Sequence, residues 1–261
     1  MPRLRLLYLS DLHLSPWSSG RGVLEQVSQW LEQFRPDWTL LGGDLVDLPW
    51  SLGELQQWLV RLRSFCPVAV ISGNHDRWIG VSPIRRCVQA QGAFWFDDQL
   101  DLGGLTLWAE LQLWNPAVHL PGEDCNLLVA HNPRVFPLAV KHKIPLVLAG
   151  HLHGCQCHWF SQTTTQSRFS GLPWLDPRPA GTYSYPGAWF FTYNGPIFQE
   201  ANTTMLVSAG MNDTLPVRWN CPRDGILIDC QPSALNQLEC IQDSLGGAYQ
   251  IDQRQERQGN G

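Results

Sequence analysis

Five short apolar runs in this 261-residue chain each break off into a loop that opens on Asp, Asn or His, and that recurrence restricts the fold more than any other feature. Leu4 to Leu9 runs into Ser10-Asp11-Leu12-His13. Trp38 to Leu41 runs into Gly42-Gly43-Asp44, and Val68 to Ile71 into Ser72-Gly73-Asn74-His75-Asp76. The fourth run, Asn126 to Ala130, ends at His131, and the fifth, Leu146 to Leu148, at Ala149-Gly150-His151-Leu152-His153. Runs of this kind read as buried strands. In α/β sheets, ligand groups gather just beyond the carboxyl ends of strands, so five separate loops are expected to converge on one crevice.

The intervening sequence supplies the helices of such a fold. Val23, Leu24, Val27, Trp30, Leu31 and Phe34 recur at helical spacing, and Arg35-Pro36 stops that helix. A second helix carries Leu52, Leu55, Trp58, Leu59 and Leu62, with Ser51 and Glu54 at the spacing of a capping box. Further strands are expected at Ala93 to Phe96, Leu105 to Leu111, Met205 to Ser208 and Ile226 to Asp229. Several lie too close together for helical crossovers, so the later half should contain antiparallel pairs and the sheet should be mixed. The class is therefore layered α/β. Hydrophobic residues make up 44% of the chain, enough for the core of one domain over residues 1–250. Residues 251–261 are nearly devoid of apolar side chains and are expected to form a disordered tail.

Composition removes several function classes. The formal charge is -5 and no run of Lys or Arg occurs, so no nucleic acid partner is expected. No apolar stretch approaches the roughly 20 residues of a spanning helix, and the chain opens directly on a strand, so the expectation is an untargeted, cytoplasmic protein. Eight cysteines do not make a dense disulfide scaffold in a chain of this length, and Cys66, Cys87, Cys230 and Cys240 read as reduced core thiols.

The residue types after the five strands narrow the chemistry. Asp, Asn and His without Cys suit borderline divalent cations such as manganese, iron or zinc, and disfavour a structural thiolate site. Seven candidate ligands, Asp11, His13, Asp44, Asn74, His131, His151 and His153, are too many for one tetrahedral ion. They suit two ions about 3.5–4 Å apart that share a carboxylate, activate a bridging water and clamp the oxygens of an in-line phosphoryl displacement. The glycines of GGD, SGN and AGH allow tight turns where backbone must approach closely. A solitary Asp-x-His or a lone His after a strand is ordinarily a plain loop or surface residue; the ordered recurrence of five such elements carries the inference. His119, His142 and His158 fall outside the pattern and read as exposed or structural. Cys155 and Cys157 follow the last histidines closely, but the alternation of a following strand accounts for them.

In the order DLH, GD, GNHD, a lone His at a strand end and GHLH, the segment from Asp11 to Gly154 resembles the calcineurin-like metallophosphoesterase superfamily. The resemblance implies a four-layer α/β/β/α sandwich with two mixed sheets and a dinuclear centre at one end of them. It implies a first metal on Asp11, His13 and His153, a second on Asn74, His131 and His151, and Asp44 as the bridge, with manganese favoured. His75 resembles the family's non-ligand histidine that steadies the phosphoryl group and protonates the leaving oxygen. Asp47 is positioned to orient His75, and Asp76 offers the alternative. The implied reaction is hydrolysis of a small phosphomonoester or phosphodiester by a metal-bridging hydroxide.

Branch-level features are sparser. GDLVDLP and GNHDRW lack the Arg and Glu of the serine/threonine protein phosphatase motifs, which disfavours that activity. The stretch SAGMNDTLPVRWNCPRDGILI, with HNP and the Gln of GHLHGCQ, is similar to a bacterial branch of small phosphoesterases that includes UDP-2,3-diacylglucosamine pyrophosphatase-like enzymes. Cyclic-nucleotide phosphodiesterase activity, that pyrophosphatase activity and a non-enzymatic binding scaffold remain the rival readings. Arg218 is a candidate forked donor to the substrate phosphate. The aromatic-rich segment 158–200 either forms an apolar lip for substrate or a peripheral membrane contact, or closes the core as a Pro/Gly-rich loop; the second is the simpler reading.

Overall fold

The computed structural model describes residues 4–17, 20–110, 127–153, 197–213, 223–231, 234–242 and 249–251. Two mixed sheets organise them. In the first, β1 (Leu4–Leu9), β2 (Trp38–Leu41), β3 (Val68–Val70) and β4 (Phe94–Trp95) run parallel, and β11 (Asp224–Gln231), β12 (Ala234–Gln242) and β13 (Tyr249–Ile251) extend it antiparallel in the order β13-β12-β11-β1-β2-β3-β4. In the second, β6 (Thr106–Ala109), β7 (Leu127–Val129), β8 (Leu146–Ala149) and β10 (Thr203–Val207) are parallel. Antiparallel β5 (Gln99–Asp101) and β9 (Ile197–Glu200) form its edges, in the order β5-β6-β7-β8-β10-β9.

Alternation along each strand sorts the apolar residues into three layers. Leu7 and Leu9 of β1 and Val68 and Val70 of β3 face helices α1 (Gly20–Phe34), α2 (Leu52–Arg63) and α4 (Val81–Ala90), packing on Val27, Trp30, Leu55, Leu59 and Ile84. Leu6, Tyr8, Leu40 and Ala69 point the other way and meet Leu107, Leu127, Val129, Leu146 and Leu148 of the second sheet. The far face of that sheet, through Leu128, Val147 and Met205, packs on Phe136 and Ala139 of α5 (Phe136–Lys141). The architecture is the expected α/β/β/α sandwich. It explains why the runs of the central strands are apolar at consecutive positions: β1, β2, β3, β7 and β8 are covered on both faces.

Helix α1 ends as expected. Arg35 adopts a left-handed backbone (φ 46°), its N–H bonds to the Leu31 carbonyl at 3.0 Å, and Pro36 follows. The capping box expected at Ser51 and Glu54 is not formed: Ser51 makes no side-chain cap, and Ser51 Oγ and Glu54 Oε2 are buried without hydrogen-bond partners. The reason is local, since a 3-10 turn over Pro49–Ser51 leads straight into α2 and holds Ser51 at φ -81°, ψ 2° rather than in the extended conformation that a cap requires. Strands β5, β9, β12 and β13 and helices α3 (Asn74–Ile79), α4 and α5 add to what the apolar patterning shows. Ile251 closes β13, opposite Leu238, so the sheet takes in the first residue of the expected tail; residues 252–261 lie outside the described residues. Cys66 and Cys230 are buried free thiols, and Cys87 is free and half-buried. No helix among the described residues is long and apolar enough to cross a membrane.

Leu40 is 0% exposed between the two sheets. Leu40→Ala is therefore expected to cost about 2–5 kcal/mol, read as a lowered urea midpoint of unfolding with little change in slope.

Candidate metal centre

The carboxyl ends of the parallel strands of both sheets lie at one edge of the sandwich, and the seven candidate ligands meet there. The first sheet brings Asp11 and His13 after β1, Asp44 after β2 and Asn74 after β3. The second brings His131 after β7 and His151 and His153 after β8. Contacts across the seam unite them: Asn74 Oδ1 lies 2.9 Å from His131 Nε2, His13 Nε2 lies 3.0 Å from His153 Nε2, and the His151 N–H bonds to the Asp11 carboxylate at 3.0 Å.

The backbone at these positions is unusual. Among the described residues, eight other than glycine have a positive φ, and five of them are Asp11, His13, Asp44, His151 and His153. Left-handed backbone at a side-chain-bearing residue costs on the order of 1–3 kcal/mol and persists where the surroundings enforce it. Here the loops are stitched together: Asp11 N–H bonds to the Gly43 carbonyl, His13 N–H to the Asp44 carbonyl, Met211 N–H to the Ser10 carbonyl and Asn212 N–H to the Asp11 carbonyl, all at 2.9–3.1 Å. Two glycines permit the close approach. A Cβ on Gly73 would sit 2.1 Å from Asp44 Oδ1, and one on Gly150 would sit 2.1 Å from Ser10 Oγ.

Three histidines are turned inward by acceptors behind them. His13 Nδ1 lies 2.6 Å from Asp47 Oδ1, His153 Nδ1 lies 2.9 Å from Asp213 Oδ1, and His131 Nδ1 lies 2.9 Å from the Gly42 carbonyl. With Nδ1 engaged in this way, each ring turns its Nε2 toward the cluster. The Nε2 atoms of His13 and His153 come within 3.0 Å of each other, beside Asp11 Oδ1. That arrangement calls for a cation. Asp11, His13 and His153 form one group of potential ligand atoms within 4.8 Å of one another, and Asp44, His131 and His151 form another, which Asn74 adjoins. Asp44 Oδ2 lies 3.2 Å from His131 Nε2 and 3.7 Å from His13 Nε2, so this one carboxylate borders both groups. The donors fit divalent metal ions in number, type and burial.

Electrostatics carry the same message. Burial opposes charge on His131, yet the carboxylates of Asp44, Asp11 and Glu110 outweigh it and push its pKa up to about 10. Burial and the neighbouring His131 charge hold His151 down to about 4. Burial would raise Asp44, but the charge and hydrogen bond of His131, with His13, keep it below the usual carboxylate range. The centre thus holds positive charge tightly even when only a proton supplies it.

His75 stands beside this cluster, with its ring 4.8 Å from that of His13. Its Nδ1 lies 2.8 Å from Asp47 Oδ1, the oxygen that also accepts from His13, and this hydrogen bond raises the His75 pKa against the effect of burial. Of the two alternatives for orienting His75, Asp47 is the one in contact. Asp76 instead accepts from Gly73 N–H (2.8 Å) and Leu45 N–H (2.9 Å), tying the β2 and β3 loops together, and burial pushes its pKa up to about 6. His142 ends α5 half-buried, away from the cluster. Arg218, His119, His158, Cys155, Cys157 and residues 158–196 lie outside the described residues.

Two supporting acids escape the strand-end pattern. Asp213, beyond β10, backs His153. Glu110, beyond β6, accepts from the N–H groups of His131 (2.8 Å) and Asn132 (2.9 Å) and pairs with Arg77 of α3 at 3.2 Å. Glu110 falls inside the expected strand Leu105 to Leu111 and Asp213 lies several positions past Met205 to Ser208, so neither carries the strand-end signal of the other site residues.

The profile of the calcineurin-like phosphoesterases matches residues 4–155, more than half of the chain. The chain belongs to that family. Phosphodiesterase YaeI of Escherichia coli is 29% identical over 170 residues, covering 58% of this chain and 61% of that protein. An uncharacterized metallophosphoesterase of Helicobacter pylori is 26% identical over 175 residues, covering 60% of this chain and 46% of that protein. The chain thus matches about half the length of these curated relatives. Among solved structures, a dimetal phosphatase from Danio rerio shares the fold, with a TM-score of 0.56 at 10% identity over 95% of this chain and 98% of that one. Family membership implies divalent metal ions, in accord with the donor set.

Two expectations follow for metal binding. Asp213→Ala should weaken metal affinity about 10–100-fold by releasing the His153 ring, measured by titration against a competing chelator. Gly73→Ala forces Asp44 aside and should likewise weaken metal affinity about 10–100-fold in the same titration, with the circular dichroism spectrum of the parent retained.

Proposed function

We propose that this chain is a dinuclear metal-dependent phosphoesterase that hydrolyses phosphodiesters, with manganese as the favoured ion. The observation that carries the reading is the position of Asp44 at the border of two groups of ligand atoms whose imidazole nitrogens converge. Asp11, His13 and His153 would hold one ion and Asn74, His131 and His151 the other, with Asp44 shared. When bound, such a pair supplies Lewis-acid charge to the phosphoryl oxygens and makes a water acidic enough to attack. The hydrogen bonds from the rings of His13, His153 and His131 to Asp47, Asp213 and the Gly42 carbonyl hold those rings in place, so little reorganisation accompanies binding.

His75 keeps its own task. With Nδ1 bonded to Asp47, its Nε2–H is left to steady the phosphoryl group and to donate to the departing oxygen. The raised pKa favours the protonated form that such a donor needs. A diester is favoured over a monoester because the Escherichia coli relative carries the name of a phosphodiesterase. The complete ligand set speaks against a scaffold that has kept the fold and lost the chemistry.

Metal analysis paired with a manganese-dependent assay on bis(p-nitrophenyl) phosphate tests this. Asp44→Asn is expected to lose bound metal and activity together, whereas His75→Ala should retain metal and lose about 10²–10⁴-fold in kcat. An Asp44→Asn protein as active as the parent would rule out the mechanism.

A further inference from the structure

The exposed tryptophans of the described residues are not scattered. Trp17, Trp50 and Trp78 are 72%, 66% and 75% exposed, and each lies a few residues beyond a site residue of the first sheet, after His13, Asp47 and His75 respectively. Trp78 is the one with a defined relation to the chemistry. It sits three residues after His75 on α3, and i, i+3 spacing places both side chains on one helix face. The indole lies 4.7 Å from the His75 ring at an interplanar angle of 40°.

A tryptophan left three-quarters exposed beside a partly buried histidine contributes little to the core, and no apolar layer of the fold includes it. We infer that Trp78 is a specificity-determining residue: its indole receives a flat ring carried by the leaving group, so the preferred substrates are phosphodiesters with an aryl or heteroaryl leaving group. The inference rests on the reaction proposed above, because it needs His75 to be the donor to the leaving oxygen. The geometry then follows from His75 itself. Asp47 holds Nδ1, so the leaving oxygen must approach Nε2, and the group attached to that oxygen passes beside the indole. Offset or tilted stacking of a ring on indole is favourable beyond its buried area, whereas an alkyl group of the same reach gains only the area term.

The test compares p-nitrophenyl methyl phosphate with trifluoroethyl methyl phosphate on the manganese-loaded protein. The parent should prefer the aryl ester, and Trp78→Ala should lower the aryl-to-alkyl ratio of kcat/KM about tenfold. The difference in leaving-group acidity is common to parent and variant, and a weakened proton donor alone would raise the ratio rather than lower it. Trp78→Phe should restore most of the ratio. Calorimetric affinities of phenylphosphonate and methylphosphonate should show the same loss of preference in Trp78→Ala. If Trp78 merely shields His75, the alkyl ester, whose poorer leaving group depends more on the proton donor, falls at least as far as the aryl ester, the pH profile shifts and the ratio does not drop; that result overturns the inference while leaving the reaction standing. A manganese-loaded parent inert to both esters overturns the reaction and the role of Trp78 together.

Discussion

Crowding of imidazoles and carboxylates at the seam of two sheets is the constraint around which the rest of this structure is arranged. Asp11, Asp44 and Asp47 are buried or nearly so; His13 and His75 lie 2.6 and 2.8 Å from Asp47, His131 lies 3.2 Å from Asp44, and the His151 ring lies 3.2 Å from that of His131. In a medium of low polarisability such a cluster is costly unless positive charge enters it. The same carboxylates push the His131 pKa up against its burial. Divalent metal ions, which family membership implies, bring positive charge to the cluster, and three of its rings are already aimed by acceptors behind them.

Holding that cluster requires the sandwich. Five left-handed residues together represent roughly 5–15 kcal/mol of backbone strain, comparable with the whole net stability of an ordinary domain. Three apolar layers and the hydrogen bonds among the β1, β2, β3 and β10 loops must offset it. Asp76 and Glu110 do this at separate points, one joining two loops of the first sheet and the other reaching from the second sheet to α3 through Arg77. Asp47 joins His13, a candidate metal ligand, to His75 through a single oxygen, so the two rings share an anchor.

Much of the site was legible in the chain because each functional residue lies within a few positions of a strand end, and strand ends announce themselves through apolar runs. Asp11, His13, Asp44, Asn74, His131, His151 and His153 were recognisable in this way, and the structure brings all seven together. Asp213 and Glu110 were not. A single acid after a strand looks like any surface carboxylate, and only the position of β10 beside β8 and of β6 beside β7 carries these two to the cluster. The choice between Asp47 and Asp76 was equally undecidable: Asp76 adjoins His75 in the chain and Asp47 stands 28 residues away, yet the fold brings Asp47 to the ring and turns Asp76 to the Gly73 and Leu45 N–H groups. The missing cap at Ser51 shows the converse: spacing alone suggested a box, and a preceding 3-10 turn removed the extended backbone that the box requires.

What the sequence by itself determined is therefore the periodic part: covered strands, amphipathic helices, and donor residues placed where strands turn into loops. These depend on interactions within a few residues, so the local order of side chains encodes them. What only the tertiary structure decided is which donors face each other, which acids stand behind them, and that Trp78 lies open against His75. Those outcomes depend on how two sheets stack and how loops far apart in the chain bond to one another, and no local pattern records the distance across the seam.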